Sequence, residues 1–299
     1  MRNSFLLRIK NEILVMSGAM GTAMQKSGSD LGGCLSNWII ENPEAYKKLV
    51  NEYFQVGCHI VAGATSTANR ISLAKFGLQE KVAELNRGVI KIIKEIKPEH
   101  AFVAGNIGPS GKILKPWGDL SPAELFEAYA EQAYVLAESG AEIINILTMY
   151  DLEEAVLALQ AAKKTTSLPI IVSLAFDPSP KGFRTMMGIS PEVAAKRLAE
   201  EGADVIGANC GRISLAQTTE ILKLMKNNCS KPLLAKPNAG SPQLVEGEEK
   251  YGAGPHQFAE HVEEWVTAGA RIVSACCGST PAHLQKMVAK LKGKGLLKR

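Results

Sequence analysis

Three cysteines are the residues of this chain whose type and placement best suit chemistry: Cys210, and the adjacent pair Cys276 and Cys277. Each site follows a short apolar run typical of a buried strand, and each run follows a Gly-Ala pair that closes a helical stretch. Three thiolates with a fourth position left open suit a catalytic zinc ion. The alternative is three small buried residues, since free cysteine is often buried. Thiols at two equivalent strand ends, each beside a glycine, favour the metal site.

Other residues share this placement at the ends of apolar runs, so they are candidates for the same opening. They are Ser17, Gly18, Ala64, Thr65, Asn106, Leu147, Thr148, Ser173, Asn209, Lys236 and Asn238. Few of them ionise, so we find no paired carboxylates for glycoside-type acid–base catalysis and no Ser–His–acid set. His283 is expected to serve the start of the last helix rather than to bind the metal. The set favours a soft metal that holds a substrate thiol and lowers its pKa.

The elements that position these residues form a repeating strand–helix chain. Eight apolar runs predict strands at 12–16, 59–64, 101–106, 142–147, 169–175, 204–209, 232–237 and 271–275. Helical patterns lie between them, among them 122–139, 152–165, 191–201, 215–227, 256–268 and 281–292. Eight such units predict an α/β fold, a single-domain (β/α)8 TIM barrel over residues 1–299. A doubly wound open sheet is the alternative, but the turn at 18–21 lacks the full dinucleotide-binding glycine pattern.

Three long segments follow predicted strands 3, 5 and 7, at 108–121, 177–190 and 238–255. They are rich in Gly and Pro and carry large apolar residues. Long loops at the catalytic face of a barrel commonly cover or receive a ligand, so we expect these to border the opening.

The composition excludes several kinds of partner. The formal net charge is +4 and the basic residues are mixed with acidic ones, so we expect no nucleic-acid partner. No apolar run approaches the roughly 18 residues of a membrane span, so we expect no membrane partner. The first residues have too short an apolar core for a signal peptide. Six cysteines without small-domain spacing fit a reducing compartment, and we expect a cytoplasmic protein.

Several segments resemble the homocysteine S-methyltransferase family, which includes the homocysteine-binding module of cobalamin-dependent methionine synthase. The similarity extends from about Ile13 to Leu291. The segments are 17–22 (SGAMGT), 105–111 (GNIGPSG), 148–154 (TMYDLEE), 185–188 (TMMG), 207–210 (GANC), 236–240 (KPNAG) and 276–281 (CCGSTP). The resemblance implies a (β/α)8 barrel with zinc on Cys210, Cys276 and Cys277, and it places Asn238 in a segment that approaches the metal in some relatives.

The chain departs from the family pattern where relatives hold the amino group of homocysteine. Ser17 stands where relatives carry Asp, and Leu147 stands where they carry Glu. Ala64 replaces an Asn, and Asn106 replaces a usual Asp. The resemblance therefore implies that the metal half of the site is retained and the amino-acid-recognition half is not. A decayed paralogue is one alternative explanation, but intact cysteines and loop segments argue against it.

Together these features predict a zinc-dependent methyltransferase that moves a methyl group between a small molecule and a corrinoid (cobalamin) carried by a partner protein. The small molecule is a thiol or a methylated compound. We expect it to contact Ser17, Gly18, Ala64, Thr65, Asn106, Leu147, Thr148 and Asn238. One alternative is a homocysteine S-methyltransferase that makes methionine. A second is a non-enzymatic zinc or redox protein in which Cys276 and Cys277 form a disulfide.

Overall fold

The structure is a computed structural model that describes residues 2–30, 32–240, 242–245 and 248–297, without the side chains of Asn3, 242–245 and 248–250. The segment 238–255, predicted to border the opening, therefore lies partly outside the described residues, at Ser241, Glu246 and Gly247.

Eight parallel strands within the described residues form one sheet. They are β1 (Leu14–Val15), β2 (Ile60–Ala62), β3 (Phe102–Ile107), β4 (Ile143–Met149), β5 (Ile170–Leu174), β6 (Val205–Asn209), β7 (Leu233–Lys236) and β8 (Ala270–Val273). Neighbours in sequence are neighbours in the sheet from β2 to β8, and β8 pairs with β1. A parallel bridge between Met16 and Ile60 joins β1 to β2 and closes the ring. The predicted (β/α)8 TIM barrel is confirmed.

Helices surround this ring, and most begin where local chemistry favours a start. They are α1 (Arg2–Asn11), α2 (Gly21–Gln25), α3 (Leu35–Glu41), α4 (Pro43–Gln55), α5 (Arg70–Leu73), α6 (Val82–Ile96), α7 (Pro122–Glu138), α8 (Leu152–Thr165), α9 (Pro191–Glu200), α10 (Leu215–Lys226), α11 (Pro255–Thr267) and α12 (Pro281–Gly293). Ser121, Ser190 and Ser214 each cap a helix by accepting a backbone hydrogen bond three residues on. Such caps explain why the predicted helix starts agree with the observed ones.

The barrel interior changes from apolar to polar along the strands. Near the amino ends, a cluster of buried side chains includes Leu14, Ile143 and Leu234, and Phe5 and Ile9 of α1 pack beneath it. Two residues further along several strands, the same inward-facing row becomes polar. Its members are Asn145, Ser173, Lys236 and Ser274, and in β6 the polar residue is Asn209, four residues beyond Val205; all are buried. The apolar layer therefore supports a polar floor under the carboxyl ends of the strands.

Three features differ from the sequence prediction. Helix α1 was not predicted, and two antiparallel hairpins lie in segments predicted as loops, Asp177–Ser179 with Gly182–Arg184 and Pro242–Val245 with Glu248–Tyr251. The hairpin strands are short, each contains or faces a proline, and they pair only with each other, so they lack the apolar runs of barrel strands. No helix of the described chain is long and apolar enough to cross a membrane.

A partly buried histidine under the barrel makes stability depend on pH. His59 Nδ1 accepts a hydrogen bond from the Val15 N–H at 3.0 Å. Burial, with the nearby Arg8 cation, lowers the pKa of His59 from 6.5 to about 4. Below pH 6.5 the unfolded chain gains a proton that the folded protein does not take up until about pH 4, so acidification in this window favours unfolding.

We expect this group to lower the free energy of unfolding by about 2 kcal/mol between pH 7 and pH 5. Urea titrations at both pH values should show the loss. His59→Asn keeps an acceptor near the Nδ1 position but does not titrate. Between pH 7 and pH 5, this variant should therefore lose about 2 kcal/mol less unfolding free energy than the wild type. Equal losses in the two proteins would contradict the assignment.

Candidate functional site

The three predicted cysteines converge at the carboxyl ends of the barrel strands. Cys210 follows β6, and Cys276 and Cys277 follow β8. Cys210 Sγ lies 2.9 Å from Cys276 Sγ and 4.0 Å from Cys277 Sγ. All three sulfur atoms lie within 4.8 Å of one another. Cys276 is buried, whereas the other two are half-buried, so the set faces the opening of the barrel.

The chain leaves β6 through a left-handed turn that aims Cys210 at the pair. Cys210 has φ +55° and Gly211 has φ +71°. The Cys210 N–H still reaches the sheet, donating to the Lys236 carbonyl at 3.2 Å. A Cβ added at Gly211 would collide with the Phe176 carbonyl oxygen. Only glycine fits this position, because the turn needs both a positive φ and a close backbone approach.

Gly211→Ala should therefore destabilise the protein more than the same substitution at a glycine whose only constraint is a positive φ. Gly77 has φ +68° with nothing within 4 Å of an added Cβ, so Gly77→Ala is a matched control. We expect Gly77→Ala to lower the free energy of unfolding by about 1–2 kcal/mol, and Gly211→Ala by roughly 3 kcal/mol or more. Urea denaturation followed by circular dichroism measures both. Equal effects would show that the contact with Phe176 is unimportant.

The loop after β7 holds the cysteine pair against Cys210. The Cys276 N–H donates to the Pro237 carbonyl at 2.7 Å, and the Cys277 N–H donates to Asn238 Oδ1 at 3.1 Å. Asn238 Nδ2 donates in turn to the Gly211 carbonyl at 3.0 Å. One amide thus joins the two cysteine-bearing loops. The sequence-predicted Asn238 lies beside the thiols, where it positions their backbone.

Asn209 holds the other side of the triad. Its Oδ1 accepts from the Thr148 N–H at 2.8 Å and from Ser173 Oγ at 2.7 Å. Its Nδ2 donates to Thr148 Oγ1 at 2.7 Å and lies 3.9 Å from Cys276 Sγ. Thr148 has φ +61°, a conformation uncommon for a residue with a Cβ. Asn209 therefore fixes Thr148 in a strained turn whose hydroxyl lies 3.8 Å from Cys210 Sγ.

The thiols differ in acidity because they hydrogen-bond to one another. Hydrogen bonds from Cys210 and Cys277 lower the pKa of Cys276 well below the ordinary thiol value, and the Lys236 cation acts in the same direction. The same hydrogen bonding raises the pKa of Cys210. The cluster therefore loses its first proton from Cys276. The other thiols ionise when a metal replaces their protons.

The chemistry of this set fits zinc. Soft thiolates are zinc ligands, and tetrahedral Zn–S bonds of about 2.3 Å separate neighbouring sulfurs by about 3.8 Å. The 4.0 Å spacing between Cys210 and Cys277 is close to that value, and the 2.9 Å spacing between Cys210 and Cys276 would open by about 1 Å. The half-buried thiols leave the side toward the opening for a further ligand.

The remaining predicted site residues surround this centre at different depths. Ala64 follows β2, and Asn106 and Leu147 lie near the ends of β3 and β4; 5 to 8% of their surface is exposed. Ser17 and Thr65 are fully buried: Ser17 Oγ accepts from the Ala62 N–H at 3.0 Å, and Thr65 Oγ1 donates to the Asn106 carbonyl at 2.8 Å. These two support the wall of the site through neighbouring strands.

Gly18 is buried where β1 meets the loop of the cysteine pair. An added Cβ would lie 2.7 Å from Ser279 Oγ and 2.9 Å from the Tyr53 hydroxyl oxygen. The structure thus gives Gly18 a packing role, because any larger residue would separate these elements.

Several site residues were missed or under-used by the sequence analysis. Asn145 Nδ2 donates to Asn106 Oδ1 at 2.7 Å, and no hydrogen bond joins the Asn106 Nδ2 group to another described residue. Glu154 accepts from the Ser110 N–H and the Tyr129 hydroxyl and so fixes the 108–121 loop. Both act through contacts between distant segments, which leave no local pattern in the sequence.

His283 has the helix-start role that was predicted for it. Its Nδ1 accepts from the Thr280 N–H at 3.1 Å at the beginning of α12. Its Nε2 therefore carries the proton and donates to the Ala253 carbonyl at 3.1 Å. Burial lowers the pKa of His283. The ring joins the last helix to the loop after β7 and lies outside the group of sulfur ligands.

The loops around the opening present apolar side chains to solvent. Trp117 is 84% exposed and Ile113 48% exposed in the 108–121 loop, and Met186 is 69% exposed in the 177–190 loop. The first loop also lines a cavity of about 1010 Å³ on the flank of the barrel, beside Arg70 and Glu131. A second cavity, of about 840 Å³, lies at the opposite end of the barrel near His59.

The closed (β/α)8 barrel carries three converging thiols at its catalytic end. These features are those of a barrel enzyme with a cysteine site that could hold a metal ion. The sequence profile described as homocysteine S-methyltransferase matches residues 14–291. The chain belongs to the homocysteine S-methyltransferase family, a family of methyltransferases.

Curated relatives agree with this membership. The methionine synthases of Mycobacterium leprae and Mycobacterium tuberculosis are each 26% identical to this chain over 301 residues, with 94% of this chain covered. The alignments cover 24% and 25% of those proteins, so the chain spans about a quarter of the length of the curated relatives it matches.

Two solved structures share the barrel fold. The homocysteine methyltransferase MmuM from Escherichia coli, in its metallated form, has a TM-score of 0.77 and 22% identity, covering 94% of this chain and 97% of that one. A methyltransferase from Methanosarcina mazei has a TM-score of 0.62 and 13% identity, covering 98% of both chains.

Proposed function

We propose that this chain is a zinc-dependent methyltransferase that moves a methyl group between a small molecule and a corrinoid carried by a partner protein. The observation that carries the proposal is the convergence of Cys210, Cys276 and Cys277 within 4.8 Å at the barrel opening of a methyltransferase-family chain. Zinc held by these thiolates would supply the Lewis acidity that keeps a substrate thiol ionised or activates the leaving group of a methylated compound.

The side chains beside the thiols favour a substrate less amino-acid-like than homocysteine. Leu147 and Ala64 present apolar surface, and Asn106 offers a neutral amide donor. None of the described strand-end residues at the opening is a carboxylate. An ammonium group there would lose its hydration without gaining a charged partner. A short thiol or methylated compound without an amino group fits these neighbours better.

The corrinoid part of the proposal is supported by the resemblance to methionine synthase and by the loops around the opening. Trp117, Ile113 and Met186 are large apolar side chains exposed on two of the loops at the catalytic end. Apolar surface exposed on these loops would suit contact with a partner protein. A carrier protein docked there would bring its corrinoid to the same end of the barrel as the thiols.

Homocysteine is the second candidate substrate, because the matching family and the methionine synthase relatives favour it. Under this reading the product is methionine and the substitutions at positions 17, 64 and 147 are tolerated. The binding experiment in the Discussion separates the two candidates.

The methyl-transfer reaction can be followed by the absorbance of the cobalamin. Zinc-loaded protein is mixed with methylcobalamin, and a panel of thiols is added. The reverse reaction uses reduced cobalamin with betaine or S-methylmethionine as methyl donor. We expect a spectral change that requires one of these small molecules and is lost in Cys276→Ala. No change with any of them, with free cobalamin or with a corrinoid protein encoded beside this chain, would overturn the corrinoid assignment.

A further inference from the structure

Lys236 is a buried cation at the end of β7, with 4% of its surface exposed. Its Nζ donates to the Ser17 carbonyl at 2.6 Å, to Ser274 Oγ at 2.8 Å and to the Ala275 carbonyl at 3.1 Å. An ammonium group has three protons and no acceptor, so three surrounding acceptors satisfy the charged form. The structure therefore provides, beneath the opening of the barrel, the surroundings that suit an ammonium group.

No carboxylate of the described chain pairs with this cation. The ion pairs between described residues all involve other lysines, arginines or histidines. The buried Glu154 is occupied by the Ser110 N–H and the Tyr129 hydroxyl. A buried charge without a counterion costs several kcal/mol, so proteins rarely keep one unpaired. The countercharge of Lys236 must come from another kind of group.

The cysteine triad is the group that can supply it. Lys236 is hydrogen-bonded beside both parts of the triad: its Nζ donates to the carbonyl of Ala275, directly before Cys276, and its own carbonyl accepts from the Cys210 N–H at 3.2 Å. Three thiolates around one divalent zinc ion carry a net charge of −1, and the ammonium carries +1. The two charges cancel when the metal and all three thiolates are in place.

We propose that Lys236 is a positioning residue of the metal centre, whose ammonium group is the countercharge of the anionic zinc–thiolate set. This inference rests on the proposed zinc site. By this arrangement the cation stabilises the net negative charge of the zinc–thiolate set, so it raises zinc affinity. Lys236 lies on β7, between β6 and β8, and its hydrogen bonds also fix the position of the cysteine pair relative to Cys210.

Zinc affinity, measured by competition with a chromophoric chelator, tests the assignment. Lys236→Met removes the charge, and we expect it to weaken zinc binding roughly 10- to 100-fold, the range seen for groups that support metal ligands. Lys231→Met, two residues before the start of β7, is the control and should stay within about twofold of the wild type. If Lys236→Met does not fold, Lys236→Gln can replace it, because the glutamine amide donates hydrogen bonds without carrying a charge. Its zinc affinity is compared with that of the wild type in the same way.

A cobalt-substituted protein distinguishes the charge from a purely structural role. We expect Co²⁺ bound to the Lys236 variants to keep the intense thiolate-to-metal absorption of three cysteine ligands, although the affinity is reduced. Weaker absorption per bound ion would show that the cysteines have moved, and it would overturn the countercharge role. Unchanged affinity in the variants of a zinc-binding protein would also overturn it. A wild-type protein that binds no zinc would instead overturn the proposed function, and this inference with it.

Discussion

Cys276→Ala is expected to weaken zinc binding roughly a hundredfold or more, since losing a direct ligand should cost at least as much as losing a group that supports one. Cys276 contributes the buried sulfur, 2.9 Å from Cys210 Sγ, so its removal leaves only the two half-buried thiols. The barrel should stay folded, because its apolar layers lie beneath the strand ends. Zinc content after dialysis and circular dichroism measure the two outcomes.

Cys229→Ala provides a matched control for this prediction. Cys229 is a half-buried free thiol after α10 and does not belong to the group of converging sulfur atoms. Its removal should leave about one zinc per chain, the stoichiometry of a single three-thiolate site. Full zinc content in all three variants, Cys210→Ala, Cys276→Ala and Cys277→Ala, would sink the metal assignment. A metal-free protein with a Cys276–Cys277 disulfide would instead favour the redox alternative.

Homocysteine should bind the wild-type protein roughly a hundredfold more weakly than it binds the variant Ser17→Asp, Ala64→Asn, Leu147→Glu. The substitutions restore the polar residues that the family resemblance places around the amino group. Each charged hydrogen bond in such a desolvated site contributes about 1.5–3 kcal/mol, and two of them account for the expected difference. Calorimetric titration of the zinc-loaded proteins gives the two dissociation constants.

A neutral variant and a shortened ligand isolate the charge effect. Ser17→Asn, Ala64→Asn, Leu147→Gln matches the first variant in size but lacks its carboxylates, so it should gain little affinity for homocysteine. The ligand 4-mercaptobutyrate is homocysteine without its amino group, and it should bind the wild type more tightly than homocysteine does. Micromolar binding of homocysteine by the wild type would restore homocysteine as the substrate.

The parts of the fold that sequence could predict are those fixed by burial on both faces. The run 204–209 predicted a strand and Val205–Asn209 forms one, because a strand inside a barrel must be apolar nearly throughout. Helix α1 has no such local signal. Phe5 and Ile9 are buried only because the barrel lies above them, so its place depends on tertiary contacts. The hairpin at Asp177–Ser179 likewise depends on its partner strand.

The candidate site also contains features that the sequence predicts and features that depend on contacts between distant segments. The three cysteines could be found from sequence because their position after apolar runs implies one end of a barrel. The left-handed turns at Thr148 and Cys210 could not, since residues with a Cβ rarely adopt a positive φ and nothing local marks them. Lys236 was recognised as a strand-end residue. Its role depends on acceptors from β1 and from the segment after β8, which are far apart in the chain.

The cysteines come from the ends of β6 and β8, and β8 is also the strand that joins β7 to β1. During synthesis, Cys210 leaves the ribosome 66 residues ahead of Cys276, and until then the nascent chain offers a metal only one of the three thiols. On the proposed function, high-affinity zinc binding would therefore require that the last strand is already in place. Because a ligand that binds only the folded chain protects it by mass action, the cell's zinc supply would set how much newly made protein escapes proteolysis.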